Sequence, residues 1–200
     1  MTPKFHKAFT IQVATANAFL LRVHEIADVY DKAFSSSPWN ITYHKGEVLD
    51  TIIPHTLKSG FKAFFAVNDE KIIGALWRDL PLVSTFLKEF PELKSTLEML
   101  QIEKKTVQII YERELFILPS FSGKGIATAL RKEFLADSSL LFAKDAVIFT
   151  RMREDNNRVI HIAQKKGIDY SPTGIKTKRI NLKANPTSWE NQFWYKFIEK

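Results

Sequence analysis

One stretch limits the fold of this chain more than any other: Glu114-Leu-Phe-Ile-Leu-Pro-Ser-Phe-Ser-Gly-Lys-Gly-Ile-Ala-Thr-Ala-Leu130. It reads as an apolar strand, a proline stop, a loop with glycines at 123 and 125, and then a helix. A chain that passes from a strand through closely spaced glycines into a helix presents a nest of N–H groups, and the positive end of the helix dipole lies behind them. Gly123 and Gly125 lack the side chains that would hold phosphate oxygens away from those amides, Ala127 is nearly as small, and Lys124 adds a cation. The pyrophosphate of a nucleotide cofactor suits such a loop; an ordinary tight turn is the plainer alternative.

The segment is not a P-loop. Leu118 stands five residues before Gly123, and Lys124 is followed by Gly125 rather than Ser or Thr. The dinucleotide fingerprint GxGxxG is nearer, but Thr128 occupies the place of its third glycine. The next apolar run ends at Thr150-Arg151-Met152-Arg153, with no acid for a ribose diol, so an NADP reading would rest on arginines facing a 2′-phosphate. The loop also lies past the midpoint of the chain, with one strand-helix-strand unit after it, whereas a dinucleotide fold opens with this unit and repeats it.

Read as (Q/R)xxGx(G/A), the register Ser122-Gly-Lys-Gly-Ile-Ala127 resembles the acetyl-CoA motif of the GNAT superfamily of acyl-CoA-dependent N-acetyltransferases, with Ser122 in place of Gln or Arg. Downstream, Asp155-Asn-Asn157 through Gln-Lys-Lys-Gly167-Ile168 resembles the family's second motif, in which an Asn opens a helix that ends in Lys-x-Gly-Phe. The two matches cover roughly residues 112–168. The resemblance implies an α/β fold: a mixed, mostly antiparallel twisted sheet splayed at its central strands, with helices on both faces. Residues 1–200 would form one such domain, with a helical insertion over 81–105. A looser likeness is to the puromycin-acetyltransferase-like members, in which such helices would wall an acceptor pocket; a helical pair that merely covers the sheet is the alternative.

Periodicity supports that layout. Ala8–Val13 reads as a strand, and Leu20, Val23, Ala27, Tyr30 and Phe34 fall at helical spacing within one helix from Ala16 to Phe34, broken by Ser35-Ser-Ser-Pro38. Glu47 to Lys58 is a helical stretch interrupted by Pro54 and closed by Gly60. Phe61–Val67 and Ile72–Trp77 flank Asn68-Asp-Glu-Lys71 as an antiparallel hairpin. Pro81 to Lys105 is helical with a break near Pro91, and Thr106–Leu118 is the central strand. Ile126, Leu130 and Phe134 mark the buried stripe of the helix after the loop. Ala146–Thr150, a helix over Asn157–Lys166, and a closing hairpin of Ile175–Leu182 with Gln192–Ile198 complete the chain.

The composition narrows the partners. Two hundred residues with 45% hydrophobic content suffice for one sizeable core. No signal peptide is visible and no run approaches the roughly 20 apolar residues of a membrane span, so a soluble cytoplasmic protein with no membrane partner is expected. The chain has no Cys, which excludes disulfides and a thiol nucleophile, and its five His show no HxxxH or HxH spacing, so no metal is expected. The formal charge of +7 arises from dispersed cations such as Lys104-Lys105, Lys165-Lys166 and Lys176-x-Lys178-Arg179, interleaved with acids. That pattern favours a solvated basic surface over a nucleic-acid partner, and a modest positive field would attract the polyanion CoA. A homodimer stays open.

By resemblance, the backbone of Leu115, Phe116 and Ile117 would align the pantetheine of acetyl-CoA, and the loop Gly123, Lys124, Gly125, Ile126, Ala127 and Thr128 would hold its phosphates. Asn156 would line the cofactor channel or simply cap a helix. The acceptor amine would attack the thioester directly, which needs a base. Glu112 and Glu114 are the candidates, because acids within an apolar strand either face water or serve a site, and alternation puts both on one face unless a bulge intervenes. An exposed strand face with Arg113 opposite is the alternative, and His161 on its helix is a surface or core residue by default. In many relatives a Tyr seven residues after the motif Asn protonates the leaving thiolate; here that position is Ala163, with Tyr111, Tyr170 and Tyr195 as unranked substitutes. The expected activity is acetyl transfer to a primary amine of a small molecule. A protein or peptide amine, a non-catalytic CoA sensor and the NADP oxidoreductase are the alternatives.

Overall fold

A computed structural model describes residues 9–37, 39–44, 46–102, 107–141, 145–181 and 187–198. Ala8, Pro38, Lys104-Lys105, Thr106 and Leu182 lie outside these, and so do the side chains of Lys178 and Arg179. Strand β1 (Thr10–Ala14) pairs antiparallel with β2, Thr10 opposite Val67 and Ala14 opposite Ala63. Helix α1 (Ala16–Leu21) starts at Thr15, whose hydroxyl accepts the Ala18 N–H.

The single helix expected over 16–34 breaks at Arg22, and α2 (Val23–Phe34) follows. The hydrophobic spacing runs straight through the break; what fixes it is a contact far along the chain. The Arg22 guanidinium donates to the Glu70 carbonyl at 2.8 Å and forks onto Glu25, which in turn accepts the Ile72 N–H at 2.7 Å. The kink thereby ties the helix to the turn of the next hairpin. Helix α3 (Glu47–Thr56) runs past Pro54 for two residues, since a proline there forfeits a single helical bond near the end.

Strands β2 (Lys62–Asn68) and β3 (Lys71–Asp79) join through Asp69 and Glu70, both at positive φ, as a two-residue hairpin requires. Both strands are buried over nearly their whole length, which explains their unbroken apolar runs: helices cover the sheet on each side. The helical insertion resolves into α4 (Val83–Glu89), a tight turn at Pro91–Leu93 and α5 (Lys94–Met99). It lies on the sheet, Phe86, Phe90, Leu93 and Leu97 packing on Ile109, Tyr111, Val147, Phe149 and Phe193.

Strand β4 (Gln108–Ile117), helix α6 (Ile126–Leu141), β5 (Ala146–Arg153) and α7 (Asn157–Ala163) follow, then the hairpin of β6 (Ser171–Asn181) and β7 (Thr187–Ile198). Both closing strands begin earlier than the periodicity suggests, because a register shift between Pro172 and Lys176 hides the start of β6. Among the described residues the sheet runs β1-β2-β3-β4-β5-β7-β6, and β4–β5 is its parallel pair. The repeated parallel units on which the NADP reading depends are therefore missing from the described strands. Ile126, Leu130 and Phe134 of α6 are buried as the stripe predicts, against Phe64, Leu76, Ile110 and Ile148. No helix among the described residues is long and apolar enough to cross a membrane.

Candidate active site

Two irregularities open a cleft in the middle of the sheet. The first is a bulge. Trp77 pairs with Glu114 and Arg78 with Glu112, so Arg113 has no partner across the ladder. The extra residue flips the alternation of β4. Glu112 faces α6, whereas Glu114 shares the opposite face with Trp77 and Phe116. The unbulged expectation, both acids on one face, does not hold. The second irregularity is a split. Strands β4 and β5 pair from Gln108–Ala146 to Glu112–Thr150 and no further, since β4 continues along β3 and β5 along β7. Past that last pair the two strands diverge around a narrow cleft of about 60 Å³, lined by Glu114, Leu115, Thr150, Arg151, Asn156 and Trp39, among others.

Glu112 is sealed. Its side chain is 2% exposed and its carboxylate meets Arg131 of α6 at 2.8 Å, while the Tyr170 hydroxyl donates to its other oxygen at 2.9 Å. Burial opposes the Arg131 charge, but the Glu112 carboxylate outweighs it and holds the guanidinium protonated more firmly than usual. Burial first, and Glu112 second, push the Tyr170 hydroxyl well above the ordinary tyrosine range. This trio clamps α6 to β4 directly behind the glycine loop. Glu114 is half-buried in the cleft, on the face that carries Trp39, Phe34 and Arg151.

Arg113, the bulged residue, is gripped from both sides by Asp79 (2.6 Å) and Glu89 of α4 (2.7 Å). The two acids respond oppositely. The hydrogen bond from Arg113 outweighs burial and holds Glu89 down to about 2, whereas burial dominates at the deeper Asp79 and raises it. The insertion thus anchors the bulge as well as covering the sheet.

At the head of α6 the loop has the geometry of an anion cradle. Gly123 and Gly125 sit at φ +78° and +79°, a region that favours glycine, and a Cβ built on either meets no atom within 4 Å. Among the described residues, no atom crowds either position. The first N–H here to meet a backbone carbonyl is that of Ala129, bonded to Gly125 at 3.0 Å. Those of Gly123 through Thr128 have no backbone partner among the described residues. Lys124 lies over the Phe121 ring at 4.6 Å, keeping its ammonium at the loop. Leu115 and Ile117 turn toward α6 and Phe116 away from it, on the stretch of β4 that β5 has left.

Asn156 caps α7, accepting the Val159 N–H at 3.3 Å, and borders the cleft at 9% exposure, so capping does not remove it from the site. Ala163 is fully buried. Of the three tyrosines, Tyr170 is committed to Glu112, Tyr111 lies under α4 between Phe86 and Phe90, and Tyr195 packs on Phe149 and Phe197. None of the three lines the cleft. Sequence reasoning missed Arg131 and the anchor Glu89, and it offered Tyr170 as a substitute acid rather than as part of a clamp. An arginine on the inner face of a helix would have been the one available signal. Groups of three or more His, Asp or Glu able to hold a metal are absent among the described residues. A larger cavity of about 630 Å³ opens between α2 and the β2–β3 turn, lined by Glu25, Asp28, Lys32 and Lys71. Glu25 there already serves Arg22 and Ile72.

No protein-family model and no curated protein matches the sequence. Solved structures do match. NAA60 from Arabidopsis thaliana, in complex with a bisubstrate analogue, aligns with a TM-score of 0.62 at 17% identity, over 95% of this chain and 100% of its own. A ribosomal-protein-alanine N-acetyltransferase from Brucella melitensis aligns at 0.61 and 12% identity, over 94% and 99%. A GNAT superfamily phosphinothricin acetyltransferase from Sinorhizobium meliloti, in complex with acetyl-CoA, aligns at 0.61 and 13% identity, over 96% and 89%. With one parallel pair at the centre of the sheet, a bulge and a split beside it, and a glycine loop feeding the helix behind, the chain has the fold of the GNAT acetyltransferases.

Proposed function

We propose that this protein transfers an acetyl group from acetyl-CoA to a primary amine, by direct attack within a ternary complex. One observation carries the reading. The open glycines and unpartnered N–H groups of residues 123–128 stand beside the split between β4 and β5, so one ligand with a pyrophosphate and a long thin arm satisfies both. Solved structures with this fold include complexes with acetyl-CoA, which supports it.

In this reading the N–H groups from Gly123 to Thr128, with Lys124, hold the diphosphate, and the unpaired edge of β4 at Leu115, Phe116 and Ile117 aligns the arm. Glu114 rather than Glu112 is the base. Both acids border the cleft, but both carboxylate oxygens of Glu112 are engaged in the buried clamp, and Glu114 is the more exposed of the two. Glu114 takes a proton from the acceptor ammonium, and the freed nitrogen lone pair forms a bond to the thioester carbon. The C–S bond then breaks and the sulfur leaves as thiolate, acquiring the proton that the new amide nitrogen sheds. Thiols are acidic enough, with a pKa near 8.5, to leave without a dedicated acid. That fits a cleft in which no tyrosine stands.

Calorimetry tests the proposal. Acetyl-CoA binds and NADPH does not, and Gly125→Val abolishes acetyl-CoA binding while the fold survives. A broad amine panel then reports thiol release. A second reading, a CoA sensor without turnover, rests on Ala163 and Ser122 at two motif positions; binding with silence across the panel favours it.

A further inference from the structure

The guanidinium groups around the cleft differ in one respect. Arg131 has Glu112, Arg113 has Asp79 and Glu89, and Arg153 has Asp155 at 2.5 Å. Arg151 forms no ion pair among the described residues, although it lines the cleft and is half-buried. It packs against an edge-to-face ring pair, 5.0 Å from the centre of Phe90 and 5.9 Å from that of Phe193, which supports the guanidinium without neutralising it. Beside it the Tyr111 hydroxyl is fully buried with no partner of good hydrogen-bond geometry. Burial disfavours the Arg151 charge, but Tyr111, Glu114 and Glu89 nearby outweigh it, so the guanidinium stays protonated while no described carboxylate forks onto it.

The position is informative. Arg151 is the first residue of β5 beyond the last β4–β5 pair, so it stands at the throat of the split. It lies on the face of Phe90 and Phe193, the face on which Glu114 also falls. An acceptor amine directed at Glu114 has Arg151 across the cleft from it.

We propose that Arg151 is a specificity-determining residue that binds an oxyanion of the acceptor, so that the substrates are small amines that also carry a carboxylate, amino acids above all. The inference rests on the acetyl-transfer reading for the identity of the cleft. The planar fork of an arginine packed against aromatic rings matches a carboxylate bidentately, which a lysine cannot reproduce. The two nearby acids, Glu114 and Glu89, have other tasks: one serves as base, and the other holds Arg113.

The test uses products, so that it needs no turnover. N-acetyl-α-amino acids and their C-terminal amides are titrated pairwise into the wild-type protein, Arg151→Lys and Arg151→Gln. The carboxylates are expected to bind wild type at least about tenfold tighter than the matching amides, as a charge-assisted contact implies. Arg151→Gln erases that preference and Arg151→Lys keeps only part of it. Should Arg151→Gln fail to fold, the wild-type and lysine comparisons still decide. Equal affinities within every pair, no binding of any compound, or a preference that survives in Arg151→Gln overturns the proposal. Acetyl-CoA titrated into the same samples reports separately on the function: if it binds while the pairs do not differ, only the inference fails.

Discussion

Glu112 and Glu114 are two residues apart on one strand, yet they occupy opposite regions of the molecule. The α6 face around Glu112 is closed: a buried carboxylate, a buried guanidinium and a phenol saturate one another. The face around Glu114 is a cleft whose arginine at the throat has no ion pair among the described residues. One extra residue in β4 makes the difference. A fully buried charge locked in a clamp holds the frame, and a half-exposed charge at an opening can meet a ligand.

The largest effect should come from the open side. Glu114→Gln is expected to lower kcat by about 10²–10⁴-fold, the usual worth of a positioned base, with melting temperature and acetyl-CoA affinity unchanged. A fall in stability instead would mean that Glu114, like its neighbour, is a frame residue. On the closed side the roles reverse. Arg131→Ala leaves Glu112 buried without its cation and should cost about 3–5 kcal/mol in chemical denaturation. Arg131→Ala/Glu112→Ala should recover part of that loss, since the orphaned charge is gone. If the double variant is no more stable than the single one, the clamp is not a pair.

A smaller effect tests the link between the insertion and the bulge. The pKa of Glu89 is depressed in the folded state, so its contribution is present above the ordinary carboxylate value near 4.5 and is lost as pH falls toward 2. Its side chain is 32% exposed, so screening leaves about 1 kcal/mol. Glu89→Gln should remove that amount at neutral pH and flatten the stability profile between pH 4.5 and 2. Unfolding curves across that range check both.

The sequence made the local elements around the candidate site legible and left the contacts between them hidden, for a physical reason. The loop at Gly123 and Gly125, the α6 stripe and the β2–β3 hairpin are local: a few neighbouring residues set φ, capping and burial. The kink at Arg22 depends on the Glu70 carbonyl, 48 residues away, and nothing in the apolar spacing announces it. The bulge at Arg113 is equally invisible, since strict alternation is the default expectation for a strand and the residues that hold the exception lie on β3 and α4. For the same reason Glu112 and Glu114 look equivalent in sequence. Tyr170 lies 58 residues beyond Glu112, so their contact could not be read from spacing.

The most direct test of the account follows the backbone amide signals of the isotopically labelled protein as acetyl-CoA is added. The amides of residues 123–128 should show the largest shifts, downfield as their N–H groups take up phosphate oxygens, with smaller shifts at Leu115 to Ile117. Saturable shifts that leave 123–128 unmoved, or no shifts at millimolar acetyl-CoA, would contradict it.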